Sequence, residues 1–490
     1  MSVTSSDGWL RRVLGVLTVG MVALTLVSAG HSYLSYEPVE AVEVEEAEEP
    51  ASRTTTGEPA VVATIDGVGP GQLVAYDDDG RVVYRNESLW IYHDVDPSPR
   101  GSHTVTYVAS DPAGSDACDA DGCLRNVIER VNLTTGNVTR VHAWVDARTG
   151  STQTHDVDRV NESVYLVADI SYPDRVYMVD VTTGEELWEW RVSRAYEPES
   201  GGDYPSDWTH INDVEYLPDG RVMANLRNQD QVVFVEPGEG VQANWTLGAD
   251  GEHATLFEAH NPDYIPASRG GPAVVVADSE NNRLVEYQRE DGSWERTWHW
   301  QDTTMQWPRD ADRLPSGRTL VADSHGQRLL SVDTRGRVVW SQPFPTGSYD
   351  VELLGTGDES AGGRSATSLG LRSRWPGAGV DDGNTSMADA TVGGGTVDTD
   401  TDTADGGDAE SDTPASDAAA EQGLPGLSVL VYGVVSLVPP LVLHGLLYTL
   451  PPWATPVDAT LVVATVGVGA CWLAVAVTTR LASRVGVRRG

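Results

Sequence analysis

His210-Ile-Asn-Asp213-Val-Glu-Tyr-Leu-Pro-Asp-Gly220-Arg-Val-Met-Ala-Asn-Leu-Arg227 is the stretch of sequence that decides the fold. Its centre, Leu-Pro-Asp-Gly, predicts a turn, because Pro218 presets φ and Gly220 tolerates a positive φ. The residues that follow the turn alternate as a β-strand does. The same strand-turn-strand pattern recurs along the middle of the chain, so this stretch is one unit of a repeat.

Six such units align on an aspartate, and these aspartates are 40 to 62 residues apart. Repeats of this size with four strands each predict an all-β fold, a six-bladed β-propeller. The last unit, which starts at Tyr349, is too short for four strands. The strands within 72–85 are expected to pair with 349–354 and close the ring, which removes exposed sheet edges. The aligned aspartates are Asp94, Asp156, Asp213, Asp263, Asp310 and Asp350.

Acidic residues outnumber basic residues 73 to 33, which gives a formal net charge of -40. The sequence contains no lysine, so every basic residue is an arginine. Such a surface repels nucleic acid, which argues against nucleic-acid binding. Because the acidic residues are spread over the whole chain, we interpret them as an adaptation to molar salt, where the Debye length falls to about 3 Å.

The composition divides the chain into segments on both sides of the repeat. The predicted segments are, in chain order, a signal peptide or N-terminal transmembrane anchor (1–32), an acidic spacer (33–58), the propeller (59–356), a disordered Gly/Ser/Thr/Asp linker (357–424), a transmembrane or re-entrant segment (425–450) and a transmembrane helix (460–480).

Three features predict that the propeller lies on the extracellular face of the cell membrane. Cys118 and Cys123 are close enough to close a small disulfide loop, and no second ligand pair has zinc spacing. Arg11-Arg12 precedes the first apolar segment, which favours an N-terminus inside the cell and a propeller outside. The arginines after residue 479 also lie inside only if the segment 425–450 does not cross the membrane. Sequons that predict a glycosylating compartment occur at Asn86, Asn132, Asn137, Asn161, Asn244 and Asn384.

Side chains at the same point of each propeller unit converge on one rim of the central channel. Four units place a histidine there and a fifth places Arg309; the histidines are His93, His155, His210 and His260. The aspartates are expected to brace turns. A structural His–Asp bond fits the first two histidines, whereas spacing alone leaves structure and function equally open for the last two. Histidines expected at the surface or in packing are His103, His142, His253, His299 and His325, and the sequence offers no partner for His31 or His444.

The opening stretch, together with Trp245-Thr-Leu-Gly and Ala259-His260-Asn, resembles the arylsulfotransferase family of six-bladed propellers. The resemblance covers about residues 60–354. It implies transfer of a sulfuryl group from a phenolic sulfate ester to a phenol, through a histidine and without a nucleotide sulfate. By this resemblance His260 would be the nucleophile, His210 and Arg227 would bind the sulfuryl oxygens, and His155 would be a further catalytic residue. We expect His93, Arg309 and Asn228 to line the substrate site.

These roles suit the chemistry of the residues. Imidazole is a nucleophile that is neutral at working pH and can also leave. A guanidinium and imidazole donors can meet the charge on three sulfuryl oxygens. Two classes of function remain open: an aryl-sulfate sulfotransferase that needs no metal or cofactor, and a propeller without catalysis that binds a ligand or partner at the cell surface. No motif of a lyase or a quinone-dependent dehydrogenase is found.

Overall fold

The computed structural model of the chain describes residues 4–35, 52–54, 60–66, 71–99, 101–114, 117–118, 122–147, 153–345, 347–357, 359–375, 435, 438–451 and 454–487. Within these residues the chain forms six antiparallel sheets of four or five strands. The first strands of neighbouring sheets contact one another around a central channel. The predicted six-bladed β-propeller is therefore confirmed.

The strands of the described residues follow one another with short turns. In chain order they are β1 (Ser52–Thr54), β2 (Val61–Ile65), β3 (Gln72–Tyr76), β4 (Val82–Asn86), β5 (Ile91–Pro97), β6 (Thr104–Ala113), β7 (Cys123–Asn132), β8 (Asn137–Ala147), β9 (Val157–Arg159), β10 (Val164–Asp169), β11 (Arg175–Asp180), β12 (Glu185–Arg191), β13 (Ile211–Tyr216), β14 (Val222–Leu226), β15 (Gln231–Glu236), β16 (Gly240–Val241), β17 (Leu247–Gly248), β18 (His260–Ile265), β19 (Ala273–Asp278), β20 (Arg283–Glu290), β21 (Ser293–Trp300), β22 (Pro308–Arg313), β23 (Thr319–Asp323), β24 (Arg328–Val332), β25 (Val338–Pro343) and β26 (Ser348–Leu353).

Each sheet is one blade, and we number the blades in chain order around the channel. Blade 1 contains β5–β8, blade 2 β9–β12, blade 3 β13–β17, blade 4 β18–β21 and blade 5 β22–β25. Blade 6 has the order β26, β2, β3, β4 and β1. The second strands of the blades are apolar because both of their faces are covered; β19 is buried along its whole length.

The turn predicted in the opening stretch is present between β13 and β14. The Gly220 amide donates to the Leu217 carbonyl at 2.9 Å, and the φ of Gly220 is 89°. A positive φ is a conformation that glycine adopts without steric cost, which explains the residue at this position.

Blade 6 closes the ring with strands from both ends of the repeat. β26 pairs with β2, so that Val61 lies opposite Leu353, and β2 pairs in turn with β3. The prediction paired 349–354 directly with 72–85. This was wrong in one respect, because the alignment of units began near Thr64 and missed β2 as the second strand of the blade.

Several of the recurring aspartates join neighbouring blades. Asp350 of blade 6 accepts a hydrogen bond from the Val95 amide of blade 1 at 2.7 Å. Asp310 accepts from the blade 6 amide of Val351 at 3.2 Å, and Asp156 accepts from the first strand of blade 3. These carboxylates therefore brace one blade against the next around the ring, whereas the sequence analysis expected them to brace turns.

The chain after the propeller packs against it as far as residue 375. A short helix, α2 (Ala366–Leu369), donates its first amide to Glu286 at 2.7 Å, and Glu286 also pairs with the buried Arg313. Ser360 and Ser365 are buried. The predicted disordered linker was therefore wrong for its first part, because backbone and hydroxyl groups there hydrogen-bond buried groups of blades 4 and 5. The rest of the linker lies outside the described residues.

The described residues also contain two long helices, α1 (Thr4–Ser35) and α4 (Pro456–Val487). A ten-residue helix, α3 (Pro440–Thr449), precedes α4. α1 and α4 run antiparallel, because Gly15 packs against Trp472 whereas Ser28 hydrogen-bonds Asp458. Within them, 12–34 and 456–478 are long and apolar enough to cross a membrane. Of the predicted segment 425–450, only residue 435 and residues from 438 on are described, and α3 is too short to span a bilayer.

Candidate functional site

Six side chains near the start of the channel-lining strands converge on one rim, one from each blade. The ring centroid of His155 lies 4.4 Å from that of His93 and 4.7 Å from that of His210. The ring of Tyr349 lies 4.8 Å from His93 and 6.2 Å from His260. The six side chains are His93, His155, His210, His260, Arg309 and Tyr349. The structure thus brings together the four histidines and the arginine that the repeat singled out, and adds a tyrosine.

The hydrogen bonds of His260 define which of its nitrogens carries the proton. The Ser279 hydroxyl donates to the Pro308 carbonyl at 2.7 Å, so it must accept from His260 Nδ1, which lies 2.8 Å away. With the hydrogen on Nδ1, the lone pair of the neutral ring is on Nε2. His260 is buried, with 2% of its surface exposed. This arrangement favours the tautomer that a nucleophile needs.

The backbone before His260 is held by two asparagines of blade 3. The Asn212 amide donates to the Ala259 carbonyl at 3.0 Å, and the Asn225 amide donates to the same carbonyl at 2.6 Å. A β-bulge follows His260, with a positive φ of 37° at Asn261. These features explain the asparagine two residues after His210 in the motif, because it positions the next histidine in the chain.

His210 is oriented by a carboxylate from the preceding loop. Its Nδ1 lies 2.6 Å from Asp207 Oδ1, and the Asn228 amide donates to the Asp207 carbonyl at 2.7 Å. The sequence analysis expected Asn228 to bind substrate. In the structure its amide nitrogen is used by the protein to hold the loop that orients His210.

Arg227 connects blade 3 with the approach to His260. One of its terminal nitrogens pairs with Glu258, two residues before His260. Its Nε is buried and has no hydrogen-bond acceptor among the described residues. His155 Nδ1 is likewise buried and without a partner in the described part of the chain. Both groups are therefore available to a polar ligand.

Asp66 of the loop after β2 links two predicted site residues. It pairs with Arg309, and its other oxygen lies 3.5 Å from His93 Nε2. His93 Nδ1 bonds the Thr154 carbonyl at 3.0 Å. Both nitrogens of His93 are thus used within the protein, which fits the structural reading of this histidine. The Arg309 guanidinium lies 4.3 Å from the ring of Trp307.

Burial lowers the pKa of three histidines of the rim below the ordinary value of 6.5. After burial, the largest causes are the neighbouring His93 for His155, Arg227 for His210 and Arg309 for His260. Since nearby positive charge and a low dielectric both disfavour imidazolium, these rings are neutral at neutral pH. Two guanidinium groups then supply the positive charge of the site.

Several residues of this rim were not predicted from the sequence. Tyr349 had a usable signal, because it stands in the sixth unit where the others have histidine or arginine; it is buried, and its hydroxyl donates to the Asn212 carbonyl at 2.7 Å. Ser279, Asp66 and Trp307 lie outside the aligned position, so the repeat could not reveal them. Cys118 and Cys123 are bonded to each other between β6 and β7.

Further along the channel-lining strands, the residues that face one another are carboxylates. Two groups could hold a metal ion by the proximity of their oxygens, Asp94 with Asp96 and Glu359, and Asp263 with Asp312 and Glu359. Burial and the neighbouring Asp310 raise the pKa of Asp312 well above its ordinary value. The sequence analysis predicted no metal site.

The comparisons with solved structures return low-identity matches. A protein of unknown function from Bacteroides caccae is 13% identical, covers 61% of this chain and 99% of its own, and has a TM-score of 0.41. A periplasmic gluconolactonase of Pseudomonas aeruginosa is 13% identical over 60% of this chain and 99% of its own, with a TM-score of 0.38. A virginiamycin B lyase of Staphylococcus aureus is 8% identical over 63% of this chain and 96% of its own, with a TM-score of 0.37.

Among curated proteins none matches the chain. The sequence model of one family does match, and its description is arylsulfotransferase (ASST). The match extends over residues 48–303, just over half of the chain, and includes His93, His155, His210, Arg227 and His260. The chain therefore belongs to the arylsulfotransferase family.

Proposed function

We propose that the protein is an aryl-sulfate sulfotransferase that works through a sulfo-histidine at His260. The observation that carries this proposal is the tautomer of His260. Its Nδ1–H is fixed by Ser279, its Nε2 holds the lone pair, and its pKa is lowered by burial and Arg309. A buried neutral imidazole facing two guanidinium groups is equipped to attack an anionic ester.

In the first half of the proposed reaction, His260 Nε2 attacks the sulfur of the aryl sulfate. The N–S bond forms as the bond from sulfur to the aryl oxygen breaks, and the departing oxygen takes one proton. In the second half the acceptor phenol attacks the same sulfur, the N–S bond breaks, and the phenol loses one proton. The two halves therefore balance in protons and electrons.

His210 is the residue we assign to carry that proton. Asp207 holds its Nδ1 at 2.6 Å, which leaves Nε2 to accept a proton from the acceptor and to return it in the next donor half. Burial and Arg227 lower the pKa of His210 in the empty site. A bound sulfate ester brings negative charge, which favours the imidazolium form when the proton is needed.

Arg227 and His155 are proposed to bind the sulfuryl oxygens. Each has a buried nitrogen without a hydrogen-bond partner among the described residues. Their charge and donors would stabilise the transition state, a contribution that is typically worth about 10²–10³ in rate for one donor. Arg309 adds positive charge, although its pairing with Asp66 makes it a less direct ligand.

The second functional class, a propeller that binds without catalysis, is favoured by one contact. Glu258 pairs with Arg227 and so occupies part of the guanidinium that an ester would need. For catalysis Glu258 must yield to the ester. A catalytically silent binding site would keep the pair intact.

We also propose that the protein is anchored in the cell membrane with the propeller outside. Because α1 and α4 are antiparallel, the arginines at the start of α1 and at the end of α4 lie on the same side, as the positive-inside tendency requires. The packing of α1 on α4 favours a retained anchor over a cleaved signal. The sequons Asn137, Asn161 and Asn244 are exposed, whereas Asn86 is buried and cannot be glycosylated in this fold.

The test of the enzymatic proposal is transfer from 4-nitrophenyl sulfate to phenol by the purified full chain in molar salt. His260→Ala should abolish both nitrophenol release and formation of phenyl sulfate. His103→Ala, which changes a partly exposed histidine off the rim, is the matched control and should keep full activity. Equal activity of the two variants would rule out the nucleophile, and an inactive wild type would favour the binding class.

A further inference from the structure

One histidine beside the site has a buried side chain that makes no hydrogen bond to the described residues. His325, which follows β23, has 1% of its surface exposed, and neither ring nitrogen has a partner among the described residues. Burial lowers its pKa well below the ordinary value, with His444 and Arg309 as further causes. A neutral imidazole offers one donor and one acceptor. Because buried polar atoms in proteins are nearly always hydrogen-bonded, an unsatisfied pair here indicates a place for a polar ligand.

The position of His325 connects it with the proposed nucleophile. Its ring stacks on Trp307 at 4.4 Å between centroids, and the same tryptophan makes an edge-to-face contact with His260 at 5.6 Å between centroids. A single aromatic residue therefore separates the unsatisfied imidazole from the sulfuryl-transfer site.

The cover over this position is the short helix α3. His444 of α3 bonds Glu280 at 2.8 Å through Nδ1 and Asn282 at 3.1 Å through Nε2. Asn282 Oδ1 also accepts the Trp307 amide at 2.8 Å, which confirms that it faces His444 as an acceptor. The ring of His444 lies 5.5 Å from that of His325. Hydrogen-bonded and aromatic contacts thus dock α3 on the rim.

α3 lies between the rim and the start of α4, so the rim is close to one end of the antiparallel pair α1 and α4. Gln327 of blade 5 donates to the Ala454 carbonyl at 3.0 Å, directly before α4 begins. Leu443 and Leu447 of α3 pack with Ala459 of α4, whereas Val442 is 47% exposed. If α1 and α4 cross the bilayer, the cover of the site lies at the membrane surface with an apolar side chain facing outward.

We propose that the sulfuryl acceptor is a membrane amphiphile with a hydroxylated head, and that His325 first receives this head beneath α3, from where it passes Trp307 to reach His260. This inference rests on the proposed sulfuryl transfer for its reaction, but the binding site stands on the geometry of His325, Trp307 and α3. The apolar chain of the acceptor would lie along the exposed face of α3 in the bilayer. Each methylene of that chain favours the membrane about fourfold, so long-chain acceptors would be concentrated at the rim.

The experiment uses the full chain in phosphatidylcholine vesicles in molar NaCl. The probe is a 4-dodecylphenol with a diazirine beside the ring, and the comparison is the same photoreactive phenol with a methyl group instead of the long chain. Peptide mapping after illumination should place the long-chain label on α3 or on residues around Trp307. His325→Phe, which keeps a ring but removes both nitrogens, should lower this label about tenfold or more.

Two further variants keep the test decisive. Val442→Asp places a charge on the exposed face of α3 without changing the core, and it should also lower labelling by the long-chain probe. His103→Phe is the matched control on a partly exposed histidine away from the rim and should leave labelling unchanged. Equal labelling of His325→Phe and wild type, or equal labelling by the two probes, would overturn the proposal.

A second reading of the same sample separates this inference from the proposed function. Sulfation of His260 by an aryl sulfate is measured alongside the photolabel. Sulfation without a label at the rim would leave the transferase standing and refute the amphiphile site. A label at the rim that depends on His325, without sulfation of His260, would support the site and refute the transferase.

Discussion

Ser279→Ala tests whether the tautomer of His260 matters. The hydroxyl of Ser279 accepts from His260 Nδ1 at 2.8 Å and donates to the Pro308 carbonyl at 2.7 Å, and all three groups are buried. Its removal leaves a buried donor without its acceptor, which costs about 1–3 kcal/mol. If the reactive tautomer loses that stabilisation, sulfation should slow about 5- to 150-fold. The KM for the donor should change little, because Arg227 and His155 remain in place.

The assay is the single-turnover burst of nitrophenol from 4-nitrophenyl sulfate. Ser324→Ala is the matched control, because Ser324 follows Asp323 in blade 5 as Ser279 follows Asp278 in blade 4, and is equally buried. Both variants should lose some thermal stability, but only Ser279→Ala should lose burst rate. An unchanged burst rate in Ser279→Ala, or the same loss in the control, would refute the reasoning.

Three further predictions concern pH and salt. The acid limb of sulfation should lie below pH 6.5, since burial and neighbouring positive charge lower the pKa of His260, and a pH–rate profile measures it; a limb above 6.5 would contradict this. Because the folded state raises the pKa of Asp312, this group stabilises the fold at acid pH and loses that contribution as pH rises through the raised pKa. Asp312→Asn, whose amide can still donate to Asp263, should therefore gain melting temperature over wild type towards pH 8 and not at pH 4. With a net charge of -40 over the whole chain, the protein should melt at a lower temperature without salt than in molar salt, whereas equal melting temperatures would reject the halophile interpretation.

The fold could be predicted from the sequence because the same pattern recurs in each unit of the repeat. Alternating strands, acid-Gly turns and an aspartate in each unit predicted six blades without any single decisive residue. Closure was predicted in outline, but β2 was missed because the alignment of units began near Thr64, inside that strand. The linker was misread because the Gly- and Ser-rich composition of 359–375 hides contacts such as that of Glu286 with Ala366, which exist only after the blades have formed.

The site was predictable only where it follows the repeat. His93, His155, His210, His260 and Arg309 share one position in their units, and a shared position becomes a shared rim. The residues that orient them come from other positions: Ser279 lies at the end of a second strand, and Asp207 lies in a loop. Contacts of that kind depend on three-dimensional placement, which no spacing along the chain encodes. His444 shows the same limit, because its partner Glu280 is 164 residues away in the sequence.

The most direct test of the central claim is the mass of His260 after exposure to an aryl sulfate. The full chain, folded in molar salt, is mixed with 4-nitrophenyl sulfate, quenched, and mapped by peptide mass spectrometry. The account predicts an increase of about 80 Da on His260, which phenol then removes as phenyl sulfate forms. An increase on another residue, or a chain that transfers sulfuryl groups while His260 stays unmodified, would contradict it.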